Sequence, residues 1–487
     1  RKSTGKHTPK RQRNCILNPA SWLACVETNT LGKMSVIPAF DIDLDLPVER
    51  RWACIAHAYR EKFALLIEKN QETLDCLASV PGVLVALLRR SLPLEYKEEI
   101  AALSNLLNVS QTVLTLVQLA YEVFSLTDVL DGATIGCTTA IRSVNDGVVH
   151  ARTLDWSWLD GLEDLLIDIT VRRGSNKLYQ CVGFVGFLGV LTGIRYGEGE
   201  RGEFSLSLNY RRPFQGKWGK DDDGDDQPLM DTPPLWRNRH LPLAAFRCLR
   251  GGWPMASILR HVLETSCCFD DAVTQLRQAR LLAPGFIAVA GRQCHEGVIL
   301  SRDAGIGGQE QWLEDVGSAI CVANIDPQGV EQPDAHSVHL SGVALGSVGA
   351  KDIMQGESLL RRDFFLWLAA ATGDNSETAH GNLHRAMQFP PLANDVTMHM
   401  TIMCPATSRI TSCRSHGPNL LKKVQWDPEM EMCFRCCYPR CRRQVACMTS
   451  GRRDDNAWGS LLRRCGGGYY CIEHVPLQID SLSTRGP

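Results

Sequence analysis

The sequence predicts an α+β protein in which a helical block precedes a region of mostly antiparallel sheets, with a small cysteine-rich module near the C-terminal end. Three observations carry this. Apolar residues recur at helical spacing between Asp41 and Leu126, the period drops to two at Cys137, and seven of the 20 cysteines crowd between Cys433 and Cys471. The 487 residues exceed the roughly 250 to 300 that one hydrophobic core organises, so two or three units are expected. A composition that is 44% hydrophobic and 22% charged is that of a folded globular chain and excludes wholesale disorder.

Residues 1–35 are basic, lack apolar periodicity and read as a disordered tail. The helical block, 36–136, ends with SQTVLTLVQLAYEVFSL, where Ser110 is placed to cap a helix whose apolar face carries Val113, Leu116, Val117, Tyr121 and Phe124. From Cys137, CTTAIRSV and GVVHARTL flank Asn145-Asp146-Gly147, a strong short-range signal for a β-hairpin. Further strands are expected at LLIDITVR, GEFSLSLNY, GFIAVAG, EGVILSR, SAICVAN and VTMHMTIM, with helices near 241–262, 270–281 and 358–372. The aspartates of KWGKDDDGDDQP lack the closing glutamate of a calcium loop and read as a solvated acidic insertion.

Charge narrows the partners. Lys+Arg 52 against Asp+Glu 54 leaves a net charge of -2, so no global basic field exists and no nucleic-acid partner is expected. The longest apolar runs fall short of the roughly 20 residues of a membrane-spanning helix. No apolar signal segment is visible in the opening RKSTGKHTPKRQRN.

The hairpin carries the chemistry. With Asp146-Gly147 as its loop Thr138 faces Asp155, and with a loop one residue earlier Cys137 pairs with Leu154; either register returns Arg152 and Asp155 beside Cys137. A thiol at the start of a strand, with a cation and a carboxylate folded back next to it, suits a nucleophile; a buried cysteine beside a structural ion pair is the plain alternative.

Gly136-Cys137-Thr138-Thr139, HARTLDW, GFVGFLGVLTGIRYG and FSLSLNYR, with FDIDLDLPVERRW upstream and ARLLAPGFIAVAG and EGVILSRD downstream, resemble in order the acid ceramidase and N-acylethanolamine acid amidase family. The resemblance spans about 40 to 415. It implies the αββα sandwich of N-terminal nucleophile hydrolases over 137–415, preceded by a small-subunit segment over 36–136. It implies self-cleavage between Gly136 and Cys137 and attack of Cys137 on the amide of a ceramide-like N-acyl lipid, an N-acylethanolamine being the alternative substrate. A new α-amine on Cys137 would serve as the base, because such amines titrate near 7.7 to 8. Arg152 and Asp155 join the catalytic set by resemblance, as do Asn209 and Asn324, whose amides would face the oxyanion, and Arg361 as the matching arginine.

Two departures stand out. Tyr210 replaces the family's glutamate after the SLSLN strand, and an insertion, HSVHLSGVALGSVGAKDIMQGESLL, separates the Asn324 motif from Arg361 and Arg362. They give weight to another reading, an inactive scaffold.

Over 426–480 the family pattern has no counterpart. Cys433-x2-Cys436 and Cys471-x2-His474 have the spacing of zinc ligands, and two four-ligand structural sites would draw on Cys441, Cys447 and Cys465, with Cys437 the uncertain eighth ligand; a disulfide cluster is the plain alternative. The partners expected are an N-acyl lipid, a lipid surface and a protein bound by the zinc module. The compartment is lysosomal or extracellular by resemblance, while a zinc-thiolate module suits reducing cytosol.

Overall fold

The computed structural model describes residues 36–78, 82–122, 135–156, 159–211, 246–326, most of 358–415, and the short segments 462–465 and 468–471. The chain divides into two units, one of Leu31–Lys423 and one of Arg1–Thr30 with Val424–Pro487.

The larger unit opens with a strand. Ala39–Asp43 (β1) alternates its residues between faces and pairs in parallel with Leu166–Arg173 (β4), although the sequence pattern placed the helical block from Asp41. Helices follow at Val48–Arg51 (α1), Ala53–Lys69 (α2), Gln71–Ala78 (α3), Gly82–Arg90 (α4), Leu94–Leu107 (α5) and Gln111–Gln118 (α6). Ser110 precedes α6 as expected, but its side chain makes no capping hydrogen bond, and the buried residues are Leu114, Thr115, Leu116 and Gln118.

Two sheets form the body. Five strands run in the order Ala319–Val322 (β11), Ile135–Val144 (β2), Gly147–Trp156 (β3), Thr397–Cys404 (β12) and Arg409–Arg414 (β13), all antiparallel. The eight-stranded sheet runs β1, β4, Asn176–Phe184 (β5), Thr192–Tyr196 (β6), Gly202–Tyr210 (β7), Gly285–Ala290 (β8), Gly297–Arg302 (β9) and Gly308–Trp312 (β10), antiparallel except at β1. The sheets face each other, β2 and β3 against β7 and β8. Met255–Thr265 (α7) packs on β5, β6 and β7 and Phe269–Gln278 (α8) on β8, while Ser376–Ala386 (α10) packs on β12 and β3. Leu313–Val316 (α9) links β10 to β11. The result is helix, sheet, sheet, helix, the architecture that buries one face of each sheet against the other.

The β2–β3 hairpin positions the site. Cys137 pairs with Leu154 and Val144 with Gly147, so the loop is Asn145-Asp146, the earlier of the two registers the sequence allowed. Gly147 sits at φ +145, where a Cβ would meet Ala406 at 2.7 Å and Arg292 O at 2.8 Å, which only glycine avoids. No helix among the described residues is long and apolar enough to cross a membrane.

The smaller unit is described only at the hairpin of Leu462–Cys465 (β14) and Gly468–Cys471 (β15), which the sequence pattern had not signalled. Cys433, Cys436, Cys441, Cys447 and His474 lie outside the described residues.

Candidate active site

The register of β2 and β3 sorts the residues between two faces. Cys137, Thr139, Arg152 and Leu154 share the face toward the eight-stranded sheet, and Gly136, Thr138 and Asp155 share the other. Cys137 is buried, and Arg152 Nη2 donates to its Sγ at 3.5 Å. The same guanidinium donates to Leu208 O at 2.5 Å and to Thr192 Oγ1, which ties it to β6 and β7. Burial disfavours the charge on Arg152 and lowers its pKa, while Cys137 and Asp155 act in the opposite sense. Among the described residues, the hydrogen bond to Cys137 Sγ comes from this arginine rather than from a histidine.

Asp155 is fully buried. Its Oδ1 accepts from Thr397 Oγ1 at 2.6 Å and its Oδ2 from Arg361 Nη1 at 3.0 Å. Arg361, itself helical, also donates to Thr138 Oγ1 at 3.0 Å and to Asn324 Oδ1 at 2.9 Å. Asn324 Oδ1 in turn accepts the Cys137 backbone N–H at 3.1 Å. The structure thus brings Cys137, Arg152, Asp155, Asn324 and Arg361 together despite the long insertion before Arg361. A Cβ at Gly136 would stand 3.0 Å from Asp155 Oδ2 and 3.4 Å from Arg361 Nη2, so the residue before the thiol has little room to be anything else.

Asn209 is present but differently engaged from the sequence reading. Its Nδ2 donates to Val322 O and Ala323 O, both at 3.2 Å, so both amide protons are committed to main chain in this structure. Asn324 Nδ2 donates to Tyr210 O at 2.8 Å, and the hydrogen bonds among the described residues use one of its two protons. Tyr210 fills the place of the family glutamate as an aromatic, edge-on to Tyr121 at 6.1 Å, whose hydroxyl donates to Pro284 O at 2.8 Å. Thr138, Thr192 and Thr397 were not singled out from sequence; nothing distinguishes a threonine in a strand from its many structural counterparts.

The chain resembles acid ceramidases and N-acylethanolamine acid amidases. It is 23% identical over 296 residues to the acid ceramidase of Balaenoptera acutorostrata scammoni and 25% identical over 272 residues to the N-acylethanolamine-hydrolyzing acid amidase of Rattus norvegicus. Each match covers 55% of this chain and 64% of that protein, so the chain spans less than two thirds of these relatives' length. The solved structure of the Caenorhabditis elegans N-acylethanolamine-hydrolyzing acid amidase ortholog aligns with a TM-score of 0.39 and 20% identity, covering 55% of this chain and 93% of that one. No family model matches the chain.

Several histidines nearby are buried and held neutral. Burial, and then the charge of Arg152, push His150 down to about 3; burial, Arg409 and His384 push His380 down to about 3; burial and Arg152 hold His399 well below its usual range. A base whose folded pKa is depressed contributes stability that is complete above its unfolded value near 6.5 and is lost as pH falls toward the folded value. By pH 5 His150 alone removes about 2 kcal/mol. Glu122, which burial raises to about 7, opposes this, since it loses stability as pH rises from about 4.5 to 7. Asp168, which burial also raises, acts in the same sense as Glu122; the three histidines outweigh these two carboxyls, so the thermal midpoint is expected to drop between pH 6.5 and 4, measured by scanning calorimetry, and a flat profile contradicts the burial of these rings.

Proposed function

We propose that this protein is a self-processing cysteine amidohydrolase that cleaves N-acyl lipids, with ceramide as the leading substrate and N-acylethanolamines as the alternative. The single observation that carries the reading is the Cys137 cluster: a buried thiol next to an arginine, preceded by a confined glycine and flanked by Asp155, Asn324 and Arg361. In the precursor the thiol would attack the Gly136 carbonyl carbon, the Cys137 nitrogen would leave with a proton, and water would hydrolyse the thioester. The products are a Gly136 carboxylate and a Cys137 α-amine. That amine, titrating near 7.7 to 8, would then take the thiol proton in each turnover.

Asn324 Oδ1, bonded to the Cys137 nitrogen, would hold the new amine, and Asp155, paired with Gly136 across the hairpin, would balance its charge. The thiolate would form a thioester with the acyl group and release the amine product. Ceramide and an N-acylethanolamine supplied together to the purified chain are expected to release free fatty acid, the faster one naming the substrate. A chain that cleaves itself but hydrolyses neither overturns the lipid assignment; one that does neither favours the scaffold reading, for which Tyr210 is the motivating change. Such an enzyme belongs in a lysosomal or extracellular setting.

The zinc assignment is a second part of the proposal. Pairing of Cys465 with Gly468 and of Cys471 with Leu462 sets the two cysteines at opposite ends of the β14–β15 hairpin, about 10 Å apart at 3.3 Å per residue. Ligands of one tetrahedral ion lie much closer, so in this proposal the two cysteines would serve different sites. Zinc analysis of the purified chain is expected to give two ions, both lost to a chelator without loss of the Cys137 reaction.

A further inference from the structure

Between the two sheets runs a chain of polar side chains that the reaction above does not use: Asn209, Thr139, Ser207, His150 and Ser205. All five are at most 1% exposed. Their proton directions follow from one end. Val322 O and Ala323 O only accept, so Asn209 turns its Nδ2 to them and its Oδ1 to Thr139, whose Oγ1 therefore donates at 2.6 Å. A hydroxyl has one proton. Thr139 has given its own, so in the 3.1 Å contact with Ser207 it accepts and Ser207 donates. Ser207 has then no proton left for His150, and at 3.0 Å His150 Nε2 must be the donor. In a neutral ring Nδ1 is then the acceptor and takes the Ser205 hydroxyl proton at 3.0 Å.

The opposite tautomer would set the lone pair of Nε2 against a serine whose proton is committed, leaving an unmade hydrogen bond in a dry interior. A cationic ring would sit in the field of Arg152 and displace the Ser205 proton onto Ala290 O, 3.5 Å away.

We propose that His150, as the neutral Nε2–H tautomer, is a positioning residue for the Cys137 site, acting through this one-way chain to fix the main chain at 322–323. This rests on the amidohydrolase reading. The two carbonyls that end the chain immediately precede Asn324, whose Oδ1 holds the Cys137 nitrogen and Arg361 Nη2. Thr139, the second link, stands two residues from Cys137 on the same face. A displaced link therefore moves the acceptor that orients the nucleophile's nitrogen.

The test separates the donor from the bulk of the ring. A glutamine amide nitrogen reaches the position of the imidazole Nε2, whereas an asparagine amide nitrogen reaches only that of Nδ1. His150→Gln is expected to keep self-cleavage within about threefold of the unaltered chain, and His150→Asn to slow it at least tenfold, with matching thermal midpoints. Nitrogen-15 spectra of the histidine rings in uncut Cys137→Ala protein, assigned by the loss of one ring in His150→Gln, are expected to show His150 protonated at Nε2. An Nδ1–H ring, or equal rates for the two variants, overturns the proposal even if either variant folds poorly. If the unaltered chain does not cut itself at any pH, the amidohydrolase reading fails instead, and His150 has no such site to position.

Discussion

Replacing Cys137 with alanine is expected to leave a single uncut chain at every pH from 4 to 8, while the unaltered protein splits into a 136-residue fragment and the remaining 351 of the 487 residues. The expected loss of amide hydrolysis is about 10⁴- to 10⁶-fold, the scale on which removing a nucleophile acts in hydrolases. The variant should still fold. Losing one sulfur at a buried position costs about 1 kcal/mol, and Arg152 keeps its bonds to Leu208 O and Thr192 Oγ1. Intact-mass measurement reads the cut directly, and near-ultraviolet circular dichroism checks the fold. Cleavage directly after Gly136 that persists in the purified Cys137→Ala protein would remove the thiol from the mechanism.

The second large effect is on stability. Glu99 of α5 is fully buried, and its two oxygens accept from Arg51 at 2.7 Å, from Arg260 at 2.7 and 3.0 Å, and from Trp52 Nε1 at 3.3 Å. Burial alone would raise its pKa, but Arg260 and Arg51 together hold it below the usual carboxylate value. Taking one partner out of a buried ionic network leaves the others desolvated without compensation. Glu99→Ala is therefore expected to cost about 3 to 5 kcal/mol, although Arg260 retains Glu264 at 2.7 Å. The comparison is Glu95→Ala. Glu95 meets the same Arg51 but is 43% exposed, and its loss should stay near 0.5 kcal/mol. Urea unfolding of the two variants side by side checks the difference; equal midpoints would mean that Glu99 is solvated in solution.

Much of this fold was legible because its signals are local. The turn chemistry of Asn145, Asp146 and Gly147 announces the hairpin, and period-two alternation marks β4, β7, β8, β9 and β12. The register was not legible, since Asn145-Asp146 and Asp146-Gly147 both make acceptable loops, and the close quarters that a Cβ at Gly147 would meet, Ala406 and Arg292, lie far along the chain. β1 was hidden for a related reason. Five alternating residues abut a long helical pattern, and the partner that makes them a strand is β4, more than a hundred residues away. In the site, Cys137, Arg152 and Asp155 could be grouped from the hairpin alone. Arg361 could not, since it reaches Asp155 across 206 residues of sequence and only the family resemblance pointed to it. The engagement of Asn209 by Val322 O and Ala323 O was equally beyond sequence, because hydrogen-bond direction is decided by carbonyls that carry no side-chain signature.

The parallel pairing of β1 with β4 has a consequence for what a cut at Gly136 would mean. Asp41 and Ile42 are hydrogen-bonding neighbours of Thr170 and Val171, on the other side of the scissile bond. One sheet would then be assembled from two polypeptides, and the nicked molecule would migrate as a single particle until denatured. Pairing that closed within one chain would, once lost, have to be regained by a bimolecular encounter, whose cost grows with dilution. Maturation would thus be irreversible in a second sense: the cut protein could unfold, but it would no longer carry, in either piece, the means to find its own way back.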